Sequence, residues 1–158
     1  MLQETKIQGE ALLEISKAKW KTKARKAVSA RGTCDGLTTL WEADKFELAS
    51  SFQMQHWIYT ELWHLPSKIN IALFNLYAHV LYVEKEQCWK TLIDFLESYP
   101  LNNIIIVGGY NLILDPKEKR GGTSSRDLFL PLVENLIQQW DLMDFKPKKG
   151  YTIEQITR

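Results

Sequence analysis

The run Ile104-Ile105-Ile106-Val107, followed directly by Gly108-Gly109, constrains what this chain can fold into more than any other stretch of it. A continuous β-branched run suits a strand buried on both faces better than one with a wet side. Gly108 and Gly109 then let the backbone turn sharply or come close to another group. Tyr110 and Asn111 put polar atoms at that end before Leu112-Ile113-Leu114 resumes the apolar character. In layered folds such polar strand ends are where ligand chemistry collects.

The neighbouring segments give this strand its company. Lys85–Tyr99 carries Trp89, Leu92, Ile93 and Leu96 on one helical face, with Pro100 closing it. A strand at Ile69–Tyr77, this helix and the Asn103–Val107 strand make a strand-helix-strand path, which a right-handed crossover renders parallel. Upstream, Ala27–Ala30, Leu37–Trp41, Phe46–Phe52 and Trp57–Trp63 are further short apolar runs separated by turn residues, which reads as an antiparallel meander. Trp41, Trp57 and Trp63 are able to stack on bases, but aromatics in half-buried strands are usually core, and core is the expectation here.

Ile7–Trp20 has the spacing of an amphipathic helix. After Gly122, Thr123-Ser124-Ser125 offers caps for a third helix whose stripe is Leu128, Phe129, Leu132, Val133, Leu136, Ile137 and Trp140. Pro131 predicts a late start to its regular part. Leu142–Phe145 reads as a short last strand, and Lys146–Gly150 as a basic turn.

Composition narrows the functional classes. With 45% hydrophobic and 25% charged residues, 158 residues make one ordinary soluble domain with a substantial core. A formal charge of +1 exerts no global pull on nucleic acid, so any such binding rests on local patches. Lys19–Lys26, with five basic residues in eight around Trp20, is one patch, and a solvated loop is its simpler reading. Cys34 and Cys88 lack metal-ligand spacing and read as free thiols in a reducing compartment. No run approaches the roughly 18 apolar residues of a membrane helix and no signal peptide is evident, so an intracellular place, nuclear or cytoplasmic, is expected.

Four strings, in order along the chain, carry a resemblance. They are Leu2-Gln3-Glu4-Thr5-Lys6, Asn75-Leu76-Tyr77-Ala78, Gly108-Gly109-Tyr110-Asn111 through Asp115 with Glu118-Lys119-Arg120-Gly121-Gly122, and Trp140–Thr152. Together they resemble the endonuclease/exonuclease/phosphatase family, and most closely the endonuclease domain of plant LINE-type non-LTR retrotransposons. The resemblance spans nearly the whole chain. It implies a four-layer α/β/β/α sandwich, here a single partial domain over residues 1–158 and incomplete at both ends. The implied activity is Mg²⁺-dependent phosphodiester hydrolysis with DNA as partner.

Residue by residue, the resemblance makes Glu4 the divalent-metal ligand, a role hard carboxylate oxygens suit; the alternative is an exposed carboxylate at a helix start. Asn111 would orient the nucleophile or phosphate. Tyr77 would steady charge at the phosphorus, or else be a buried tyrosine with a satisfied hydroxyl. Lys119 and Arg120 would contact the nucleic-acid backbone, with a solvated loop as the equal alternative. Glu4, Tyr77 and Asn111 are therefore expected to converge on one face. His79 stands where the family has proline and, as a lone histidine at a turn, is read as structural, while nothing singles out His56 or His64.

Gly109 is the departure, because it falls where the family carries an aspartate that handles metal and nucleophile. Glycine supplies neither ligand nor base. The family's opening Asn-bearing strand and closing Ser-Asp-His segment are also not found here. The expected function is thus a partial retrotransposon-type DNA endonuclease domain that has lost activity; the alternative is a non-catalytic protein-interaction or structural remnant.

Overall fold

The computed structural model describes residues 25–29, 37–112 and 127–143 of the chain. Six strands and two helices follow in order: β1 (Arg25–Ser29), β2 (Thr38–Glu42), β3 (Phe46–Gln53), β4 (Trp57–His64), β5 (Ile69–Tyr77), α1 (Tyr82–Ser98), β6 (Ile104–Gly109) and α2 (Leu130–Gln139). This is a mixed α/β arrangement. The meander expected before residue 79 divides between two sheets, an antiparallel pair β1-β2 and a four-stranded sheet ordered β3-β4-β5-β6. The crossover through α1 makes β6 parallel to β5, as expected, with Ala72 opposite Ile104 and Tyr77 opposite Gly109.

Strand alternation assigns the two faces of the larger sheet. Trp57 and Tyr59 from β4 and Ala72, Phe74 and Leu76 from β5 pack with Cys88, Trp89, Leu92 and Leu96 of α1 and Val133 and Leu136 of α2. Trp57, Trp89 and Phe74 are at most 1% exposed, and each such side chain contributes on the order of 2–3 kcal/mol by burial. The Trp57 indole N–H also donates to Thr91 Oγ1 across 3.1 Å, tying β4 to α1. On the opposite face Ile58 and Leu62 meet Leu37 and Trp41, with Phe46, Leu48, Leu73 and Tyr77 around them. The two-stranded sheet therefore covers β4 on the side away from the helices.

Several expectations change. Trp41 and Trp57 are core as expected, whereas Trp63 is only half-buried near the end of β4. β6 is not buried on both faces: Ile105 is 44% exposed, because β6 is the last strand of its sheet among the described residues and the β1-β2 pair packs over β4 instead. Nor does the strand stop at Val107. Gly108 and Gly109 complete it, Gly108 with φ of 151°, and the chain turns only at Tyr110-Asn111. Ladder pairing with Leu76 and Tyr77 holds the glycines extended.

α1 begins at Tyr82, one turn earlier than Lys85, and α2 at Leu130 with Pro131 in its first turn. In α2 the buried stripe runs through Leu130, Val133 and Leu136, so Leu128, at 78% exposed, and Leu132 fall outside it. Leu142 and Met143 are not in a strand, and Asp144 and Phe145 lie outside the described residues, as do the Ile7–Trp20 helix, the Thr123–Ser125 caps and Cys34. Cys88 is buried, at 0% exposure. No helix among the described residues is long and apolar enough to cross a membrane.

Candidate functional site

The parallel pairing of β5 and β6 brings two of the sequence-derived residues to one edge of the sheet. Tyr77 ends β5, Gly109 ends β6 directly opposite it, and Asn111 follows two residues on. Beyond the last ladder pair, the Ala78 N–H donates to the Gly109 carbonyl at 2.8 Å, and the Asn111 side-chain amide donates to the Ala78 carbonyl. Asn111 holds φ of 47°, a left-handed conformation that asparagine tolerates better than most residues. Tyr77 is half-buried against the second core, and its N–H donates to the His56 carbonyl at 2.8 Å, which adds the start of β4 to the same edge. Glu4, Lys119 and Arg120 lie outside the described residues.

The first turns of α1 hold this edge from the helix side through two adjacent residues. Glu84 Oε2 lies 3.1 Å from His56 Nε2 and accepts from Gln55 Nε2 at 3.2 Å. Lys85 Nζ donates to the Asn111 carbonyl at 2.7 Å and to Asp127 Oδ2 at 3.0 Å. Asp127 in turn accepts the Phe129 N–H on Oδ1, at 3.0 Å, and so sets the start of α2. Sequence reading missed all four of Gln55, Glu84, Lys85 and Asp127. Only Lys85 left a trace there, as a cation in phase with Trp89, Leu92 and Leu96.

Each of the three described histidines has a partner for its side chain within the fold. His79 Nδ1 accepts the Leu81 N–H at 3.0 Å, and His64 Nδ1 lies 2.6 Å from Ser67 Oγ. His56 is buried, and that burial is the main reason its imidazole is held below the ordinary value; Glu84 pulls the other way and His79 adds a smaller downward push.

Mg²⁺ asks for hard oxygen ligands, typically one or two carboxylates with water or phosphate. Tyr77, Gly109 and Asn111 bring no carboxylate to this edge, and the nearby Glu84 and Asp127 carboxylates are engaged by His56 and Lys85. Among the described residues no cluster of three or more His, Cys, Asp or Glu is placed to hold a metal ion. The described donor set on its own does not fit the metal. A cavity of about 380 Å³ lies elsewhere, at the opposite end of β6, between Leu96–Leu101, Ile104 and Trp140.

In comparisons with known proteins, no family model matches this chain and no curated protein matches it.

Proposed function

We propose that the Tyr77–Asn111 edge is the remnant of a phosphodiester-handling site of the endonuclease/exonuclease/phosphatase kind, derived from a retrotransposon DNA endonuclease and no longer hydrolytic. The observation that carries this reading is the pairing of Tyr77 with Gly109 at the carboxyl ends of two parallel strands, with Asn111 beside them. Two segments, one ending in Tyr77 and the other running from Gly109 to Asn111, meet at one edge there, and the position that would carry a carboxylate is a glycine. The finer fold in this reading is the α/β/β/α sandwich. Its support is the order helices, four-stranded sheet, two-stranded sheet, which corresponds to three of the four layers.

In the intact chemistry an activated water attacks phosphorus, while metal and hydrogen-bond donors offset charge on the phosphoryl oxygens. Here the Asn111 amide and the Tyr77 phenol are the groups suited to hold a DNA phosphate. Glu4 would bring the carboxylate for Mg²⁺, and Lys119 and Arg120 would grip the backbone. With glycine at position 109, nothing at that point takes the proton of the attacking water. Loss of one member of such a unit lowers turnover by orders of magnitude.

Nicking of supercoiled plasmid in Mg²⁺ tests the reading. The chain should nick no faster than its Glu4→Ala variant, and Gly109→Asp should raise Mg²⁺ affinity while turnover stays poor. Vigorous Mg²⁺-dependent nicking by the unaltered chain, lost in Glu4→Ala, would overturn the loss of activity. A Gly109→Asp chain indifferent to Mg²⁺ would overturn the site itself.

A further inference from the structure

Lys85 is an unusual place for a cation. Its side chain is 9% exposed, in the first turns of α1, where the helix dipole disfavours positive charge. Lysine is seldom buried unless paired. Here the Phe129 ring, its centroid 5.6 Å from Nζ, offers a cation–π contact, and two hydrogen bonds hold the ammonium.

One N–H of the ammonium goes to the carbonyl of Asn111, the left-handed residue whose side chain is committed to the Ala78 carbonyl. Another goes to Asp127 Oδ2, whose carboxylate is itself fixed by the Phe129 N–H. Pinning the carbonyl fixes the peptide plane after Asn111 and, with the Ala78 contact, the direction of the amide. One amide N–H and Oδ1 remain to meet a ligand. We propose that Lys85, anchored by Asp127, is the positioning residue that fixes Asn111 at this edge and so sets its contact with a phosphate.

The bearing on phosphate rests on the function proposed above; the positioning of Asn111 does not. The two separate in one NMR experiment on the ¹⁵N-labelled full chain. The Asn111 side-chain amide pair is identified by its loss in Asn111→Asp, and the Trp57 and Trp89 indole N–H signals report the core. In Lys85→Met the Asn111 pair should move to the position of a solvated amide while both indole signals stay. Lys85→Gln, which keeps a donor for the carbonyl, should recover part of the shift. Should Lys85→Met not fold, Asp127→Asn replaces it and should move the pair in the same direction. An Asn111 pair that stays in place in a folded Lys85→Met, or in Asp127→Asn where that is the variant read, overturns the proposal.

Inorganic phosphate is then titrated in. It should shift the Asn111 pair in the unaltered chain and act at least tenfold more weakly in the folded variant. Equal phosphate response in both overturns the link from positioning to ligand contact. No response in the unaltered chain, with Asn111 still released by Lys85→Met, upholds the positioning and defeats the phosphodiester reading.

Discussion

Gly108 and Gly109 are adjacent in the same strand, and alanine at each should give opposite results. Gly108 has φ of 151°, a range glycine occupies freely and a Cβ-bearing residue does not. Forcing alanine there costs about 1–3 kcal/mol. Because Gly108 is exposed, that cost is almost purely backbone strain, without a clash in the core. Gly109 does not share the positive φ, so alanine at 109 fits the strand and, by narrowing the unfolded ensemble, should stabilise by about 0.4–1 kcal/mol. The two substitutions should therefore differ by about 1.4–4 kcal/mol. With a urea slope of about 2 kcal/mol per molar, their midpoints should stand about 0.7–2 M apart, Gly108→Ala below the unaltered chain and Gly109→Ala at or above it. Equilibrium urea unfolding followed by tryptophan fluorescence measures this. Equal losses at both positions would refute the assignment of strain to Gly108 and, with it, the expectation that position 109 accepts an aspartate.

Leu92 is fully buried between α1 and the sheet, so Leu92→Ala should cost about 2–5 kcal/mol in the same unfolding measurement, while the exposed Leu128→Ala should stay within about 0.5 kcal/mol. His56 makes stability depend on pH. Its folded value lies below the ordinary 6.5, so as pH falls through that value the unfolded chain takes up the proton first, and stability declines until the lower folded value is passed. His56→Gln should flatten the decline in thermal midpoint below neutrality, and an unchanged pH profile would assign it to other groups.

Much of the fold was legible because the periodicities were unambiguous. The boundaries of β3, β4 and β5 and the parallel β5-α1-β6 path follow from apolar runs, turn residues and crossover geometry. What was misjudged depended on tertiary position. An apolar run such as Ile104–Val107 reads as doubly buried, but nothing local reveals that it closes a sheet and leaves Ile105 in solvent. Two glycines suggest a turn, yet ladder pairing keeps them extended. At the candidate site, Tyr77 and Asn111 were identifiable because they sit at or just after strand ends, within Asn75–Ala78 and Gly108–Asn111. Lys85, Glu84 and Asp127 were not, since their meaning arises only when α1 is laid across the edge and brings residues 26 and 42 apart in sequence together.

The function proposed above makes position 109, opposite Tyr77 and two residues before Asn111, the place of a lost metal-binding carboxylate. Paramagnetic broadening by Mn²⁺ in a Gly109→Asp chain tests it most directly. The Tyr77, Ala78 and Asn111 backbone amides should broaden at Mn²⁺ concentrations that leave the unaltered chain sharp, and adding Glu4→Ala should weaken the effect. Identical broadening with glycine and aspartate at 109, or broadening centred away from Tyr77 and Asn111, would contradict the account.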